Sequence, residues 1–126
     1  MSVIRSVDAR RSETPSGVMT TLASPTVGGA ERSVWRVEVA PGAPQGPLHA
    51  LDAEQIWTFL GGGASVEVGD DVERVEAGDT LVVPAAVARR VTPDAEAGFS
   101  AIVTAAAGAK ASVPGGGEGV VPPWIA

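Results

Sequence analysis

The chain has one histidine, His49, so any chemistry that needs an imidazole must be done around residues 48–62, LHALDAEQIWTFLGG. An imidazole near its ordinary pKa of ~6.5 can take or give a proton at neutral pH. Just after it comes an alternating run in which Gln55, Trp57 and Phe59 share one face of an extended chain and Ile56, Thr58 and Leu60 the other. With no cysteine there is no thiolate nucleophile, thiolate metal site or disulfide. No G-x-S-x-G elbow is present to pair a serine with His49, and nothing sets Glu54 opposite a second acid for glycoside hydrolysis. The triplet Gly61, Gly62, Gly63 precedes a strand pattern and has no Lys-Ser/Thr after it, so it is not a phosphate loop.

The elements that must position these residues are short strands. Glycine and proline number 16 and 10 among 126 residues, which makes turns frequent and long helices scarce. Alternation predicts strands over 18–23, 33–39, 55–60, 64–68, 72–76, 80–84, 88–92 and 99–105. Trp35, Val37 and Val39 fall on one face of the second of these, against Val34, Arg36 and Glu38. Prolines at 41, 44 and 47 make the approach to His49 a loop. Gly69, Asp70 and Asp71 read as a hairpin turn, residues 76–79 as a second and residues 93–98 as a third, while the glycine triplet allows a bend or a close backbone approach. We expect one all-β domain over 1–126, a barrel or sandwich. Residues 1–17 form a polar N-terminal arm or first edge strand, and residues 106–126 a Gly/Pro-rich tail anchored by Trp124.

Charge and hydropathy narrow the partners. A net charge of −6, with arginines only in short pairs such as Arg10-Arg11 and Arg89-Arg90, argues against a nucleic-acid partner. The N-terminus has no apolar run of signal-peptide length, and no stretch approaches the ~18 apolar residues of a membrane span. The expectation is a soluble, cytoplasmic protein with a small-molecule partner and no membrane partner.

The segments around His49 and Gly78 resemble the two motifs of the cupin superfamily. The first motif is a glycine, a short spacer, His-x-His, three or four residues, Glu, six residues and Gly. It falls on residues 42–62 with one extra spacer residue before His49. The second, Gly-x5-Pro-x-Gly-x2-His-x3-Asn, falls on residues 78–93, with GDTLVVP over 78–84 as its best-matching phrase. The likeness covers residues 33–105 and implies a cupin jelly-roll β-barrel, commonly a homodimer packed through sheet edges. It assigns the four usual metal-binding positions to His49, Leu51, Gln55 and Arg89. Leucine cannot coordinate and arginine carries a permanent positive charge, so the resemblance implies a cupin without its usual metal site and with no cofactor. If a metal binds at all, His49 and Gln55 would hold it.

On this reading His49 is either a leftover ligand position hydrogen-bonded inside a barrel or a general acid/base at the mouth of the cavity. Arg89 would be an anion clamp if it, rather than Arg90, faces inward, because alternation lets only one of them do so. Gln55 would contact substrate or act as a structural hydrogen-bonder; a register one residue shorter would put Glu54 in its place. Trp57 and Trp35 would line an apolar wall of the substrate site. Small cupins resembling this chain include dehydratases and polyketide cyclases of bacterial secondary metabolism, some working without metal. The resemblance thus implies metal-independent dehydration, isomerisation, epimerisation or cyclisation of a small polar substrate, whether anionic or neutral. The alternatives are a non-catalytic binding cupin and a metal-dependent enzyme with a reduced His/Gln site.

Overall fold

A computed structural model describes residues 1–126. Ten strands follow one 3-10 turn at Ser6–Asp8: β1 Arg10–Thr14, β2 Gly17–Ala23, β3 Arg32–Val39, β4 Ala50–Leu51, β5 Gln55–Val68, β6 Asp71–Glu76, β7 Thr80–Val83, β8 Arg89–Pro93, β9 Phe99–Ala106 and β10 Ala111–Ser112. All pairings between these strands are antiparallel, in the order β1-β2-β3-β9-β5-β6, with β7 and β8 also on β5 and a small β10-β4 ladder beside them. The architecture is all-β, as the alternation implied, and the fold is the jelly roll that the cupin resemblance implied. No helix is long and apolar enough to cross a membrane.

Strand β5 holds the barrel together. Residues 55–58 pair with β7 and residues 56–62 with β9, whereas residues 63–68 pair with β6 and residues 64–68 with β8. The sequence suggested two strands split by the glycine triplet; the structure has one strand that bends from one sheet into the next. The reason is a bulge between Phe59 and Gly61. One extra residue there moves the inward face from odd positions, Gln55, Trp57 and Phe59, to even ones, Ala64 and Val66, all of them buried. Gly62 has φ +66° and backs onto Gly98 (φ +61°), and a Cβ on Gly62 would overlap the Gly98 carbonyl. The bend therefore depends on two backbones touching.

The core follows the pleat. On β3, Ser33, Trp35 and Val37 are buried while Val34, Arg36 and Glu38 are not; on β9, Phe99, Ala101, Val103 and Ala105 point inward. Trp57, Phe59 and Phe99 form an aromatic cluster, with ring centroids 6.1 Å (Trp57–Phe59), 6.4 Å (Trp57–Phe99) and 5.4 Å (Phe59–Phe99) apart. The turn before β9 is held by Asp94. Its carboxylate accepts from Arg74 Nη2 at 2.7 Å and from the amides of Glu96 and Ala97, and the Arg74 bond, then these amides, lowers its pKa to about 2.

The N-terminal segment takes the edge-strand alternative left open by the sequence, and the tail does more than its composition suggested. Within the polar arm, β1 pairs with β2 along its whole length as the first edge strand. The Gly/Pro-rich tail contributes β10 and then folds back under the barrel: Ile125 is fully buried, Thr21 Oγ1 donates to the Trp124 carbonyl at 2.8 Å, and Ser33 Oγ to that of Ile125. Arg10 Nη2 donates to the carbonyls of Pro123 and Ala126 at 2.7 and 2.9 Å, tying the tail to β1.

Candidate functional site

The barrel encloses a cavity of about 520 Å³, within the range of small-molecule sites. His49, Gln55, Trp57, Arg89 and Trp35 all line it. Glu54 does not: it is exposed, whereas Gln55 is 1% exposed, so the register that puts Gln55 inside is the one the chain adopts.

His49 and Arg89 form a bridge outside the regular ladders. His49 N–H donates to the Arg89 carbonyl at 3.1 Å, and Arg89 N–H returns a bond to His49 at 2.8 Å. Residues paired through both bonds present their side chains on the same face, and here that face is the cavity wall. The proline loop makes this possible. Its prolines cannot join the sheet, and before the chain reaches His49 the loop is tied to β8 by the Gly46 amide, on the Val91 carbonyl at 3.0 Å, and by the Gln45 side-chain amide, on Thr92 Oγ1 at 2.9 Å.

The neighbourhood decides the protonation of the ring. Burial, and then the Arg89 charge, lower the His49 pKa from 6.5 to about 4, against an opposing contribution from the Pro47 carbonyl. The imidazole is therefore neutral at neutral pH. Its Nδ1 lies 3.2 Å from the Pro47 oxygen, a pure acceptor, which places the proton on Nδ1 and leaves the Nε2 lone pair free.

Arg89 is shaped by burial too, which lowers its pKa to about 10 and leaves it charged at neutral pH. Its guanidinium carbon lies 5.4 Å from the Trp57 ring centroid, within cation–π range. Its Nε is buried without a hydrogen-bond partner, and neither of the chain's two ion pairs involves it. Trp57 is fixed in turn by its indole N–H, which donates to Gln55 Oε1 at 2.9 Å. Gln55 thus spends its acceptor inside the wall and keeps its amide N–H groups for the cavity.

These residues do not fit a divalent cation. The four positions hold one neutral imidazole, a buried leucine (Leu51, 3% exposed), a glutamine whose oxygen is already bonded, and a cation. No three His, Cys, Asp or Glu side chains lie together, whereas such ions need several N or O donors.

Part of the lining escaped the sequence reading. Residues 14–17 at the β1–β2 turn, residues 44–47 of the proline loop, and Pro122, Trp124 and Ile125 of the tail all face the cavity. Trp124 was expected only as an anchor. The signal available was the apolar pair Trp124-Ile125 ending an otherwise Gly/Pro-rich stretch.

Comparison with known proteins agrees with this architecture. The polyketide cyclase RemF of Streptomyces resistomycificus superposes with a TM-score of 0.70 at 18% identity, covering 84% of this chain and 79% of that one. An RmlC-like cupin from Shewanella frigidimarina gives 0.68 at 18% identity, covering 83% and 90%. Oxalate decarboxylase of Bacillus subtilis gives 0.71 at 16% identity; that match covers 80% of this chain but only 28% of the decarboxylase. At these identities the likeness is one of fold. No curated protein matches the sequence. The Cupin domain family model matches residues 35–104, more than half of the chain and including β3 from Trp35 onward, His49, all of β5 and Arg89; the chain belongs to the cupin family.

Proposed function

We propose that this cupin is a small-molecule enzyme that moves a proton next to a carbonyl group without a divalent metal, in a dehydration, isomerisation, epimerisation or cyclisation. The observation that carries this reading is the hydrogen-bonded His49–Arg89 pair, which aims a neutral imidazole and a fixed cation into the same cavity. Arg89 would hold the substrate oxygen on which negative charge develops, and His49 Nε2 would take the proton from the adjacent carbon. As the imidazolium forms, the growing enolate charge offsets Arg89, which otherwise opposes protonation of the ring. The ring then returns its proton at another atom of the same substrate, completing an isomerisation or assisting departure of a hydroxyl. Trp57, held by Gln55, keeps the guanidinium in place. The fold shared with a polyketide cyclase supports a reaction of this class.

Phenylpyruvate, whose keto–enol exchange is followed by ultraviolet absorbance, supplies a test. Tag-free protein is expected to accelerate the exchange equally with and without chelator, and His49→Asn to abolish the acceleration. Activity that chelator removes, or that survives His49→Asn, contradicts the proposal. A non-catalytic binding role is the second reading, favoured by the low basicity of His49; it requires saturable binding with no His49-dependent rate. The small-molecule partner and the homodimer implied by the resemblance belong to the proposal as well. Leu60 and Val82, each 55% exposed, provide apolar surface on the outer side of β5 and β7 for a second copy.

A further inference from the structure

The cavity presents hydrogen-bond donors without acidic acceptors. Its lining includes no aspartate, glutamate or lysine. Gln55 Oε1 accepts from Trp57 and His49 Nδ1 is turned to Pro47, so beside the neutral side chains of Thr14, Ser16 and Gln45 the polar groups of the lining are the Arg89 guanidinium, the Gln55 amide N–H groups and the His49 Nε2 lone pair. Around them the wall is hydrocarbon and aromatic: Met19, Val37, Val91, Phe99, Trp124 and Ile125. A buried guanidinium with an unpartnered Nε and no carboxylate beside it is an uncompensated charge in an apolar hollow, a costly arrangement in the free protein.

We infer that the ligand is an apolar monoanion, its carboxylate or enolate oxygens on Arg89 and its hydrocarbon body against Trp57 and the aliphatic wall. This deepens the proposed function and rests on it only for Arg89 being the oxygen-binding group. One cation matches one negative charge, because Arg89 is the only lysine or arginine in the lining and His49 is neutral at neutral pH. A polyanion would also meet an exterior that carries −6 overall. The planar fork suits a carboxylate by two parallel N–H bonds, and the absence of lining acids leaves nothing to pair with an ammonium group. The substrate is therefore less polar than the sequence suggested: one anionic edge on an otherwise oily molecule.

The test is a charge series on one skeleton: naphthoate, the neutral isostere naphthamide, and naphthylmethylamine, each titrated by calorimetry and by quenching of tryptophan fluorescence. Naphthoate is expected to bind roughly 10- to 100-fold more tightly than naphthamide, the scale of one charge-assisted contact, and the amine not to bind. Arg89→Gln should bring naphthoate down to the naphthamide level, Arg89→Lys should give an intermediate value, and His49→Asn should leave the preference intact. The comparison in wild-type protein needs no variant to fold. Equal affinities for acid and amide, no naphthoate binding at millimolar concentration, or an unchanged preference in Arg89→Gln overturns the inference. Because binding is read in His49→Asn as well, loss of the anion preference is distinct from loss of proton transfer, which only the phenylpyruvate assay reports.

Discussion

The protonation of His49 can be measured without assigning a single other resonance, since a chain with one histidine gives one imidazole titration curve. In tag-free protein the ring Hε1 signal should titrate with a midpoint of about 4 rather than 6.5. Arg89→Gln removes one of the two lowering causes. Side chains paired across such a bridge start about 5.5 Å apart at Cα; if the two charges are separated by roughly that distance, they repel by roughly 0.8 to 3 kcal/mol for effective permittivities between 80 and 20, or about 0.5 to 2 pH units. Desolvation is the larger cause and persists in the variant, so the upper part of that range is excluded. The midpoint in Arg89→Gln should therefore rise by about one pH unit and stop short of 6.5. A wild-type midpoint near 6.5 would show that the ring does not sit in this environment. A midpoint unmoved in Arg89→Gln would break the link between the two residues and with it the acid/base mechanism.

Stability should follow the same group. The unfolded chain takes up the His49 proton at about 6.5 and the folded chain only at about 4, so protonation favours unfolding in that window. The free energy of unfolding should be flat above pH 6.5 with respect to this residue and fall as the pH drops toward 4. A fully buried group would lose about 3 kcal/mol; for a half-buried ring screened by solvent we expect about 1–2 kcal/mol. Urea unfolding of wild type and His49→Asn across this range should differ by that slope, and parallel curves would count against it. Gly62→Ala forces a side chain into a positive φ and into the Gly98 carbonyl, which should cost about 2–5 kcal/mol; a urea midpoint within error of wild type would mean that the close contact is not there.

What the sequence disclosed was what has a period. Strands β3 and β9 lie within a residue of where alternation put them, because each buries every second side chain against one core, whereas β7, read as a largely buried strand, buries only Val83 fully. The continuity of β5 was hidden, since Gly61, Gly62 and Gly63 carry no side chain that could reveal a change of face. Cross-strand partnership was hidden as well. Motif position drew attention to His49 and Arg89 separately, but their bridge depends on a proline loop whose path no local rule fixes. The role of Gln55 was open between substrate contact and structural bond, and its bond to Trp57 is a contact two residues along the strand that only side-chain geometry could reveal. The tail read as a Gly/Pro-rich stretch anchored by Trp124, and its part in the pocket rests on contacts such as Thr21 to Trp124, across 103 positions.

That long reach has a bearing on how the protein is made. The segment that closes the hollow leaves the ribosome after every strand of the barrel, and its anchors, Arg10, Thr21 and Ser33, were synthesised near the beginning. A nascent chain that has emerged only as far as β9 has every strand of the main sheet but lacks β10, Trp124 and Ile125, so its interior stands open to water. Joining ends so distant in sequence is slow compared with pairing neighbouring hairpins. The cavity wall is thus completed late in biogenesis, as a separate event from assembly of the main sheet.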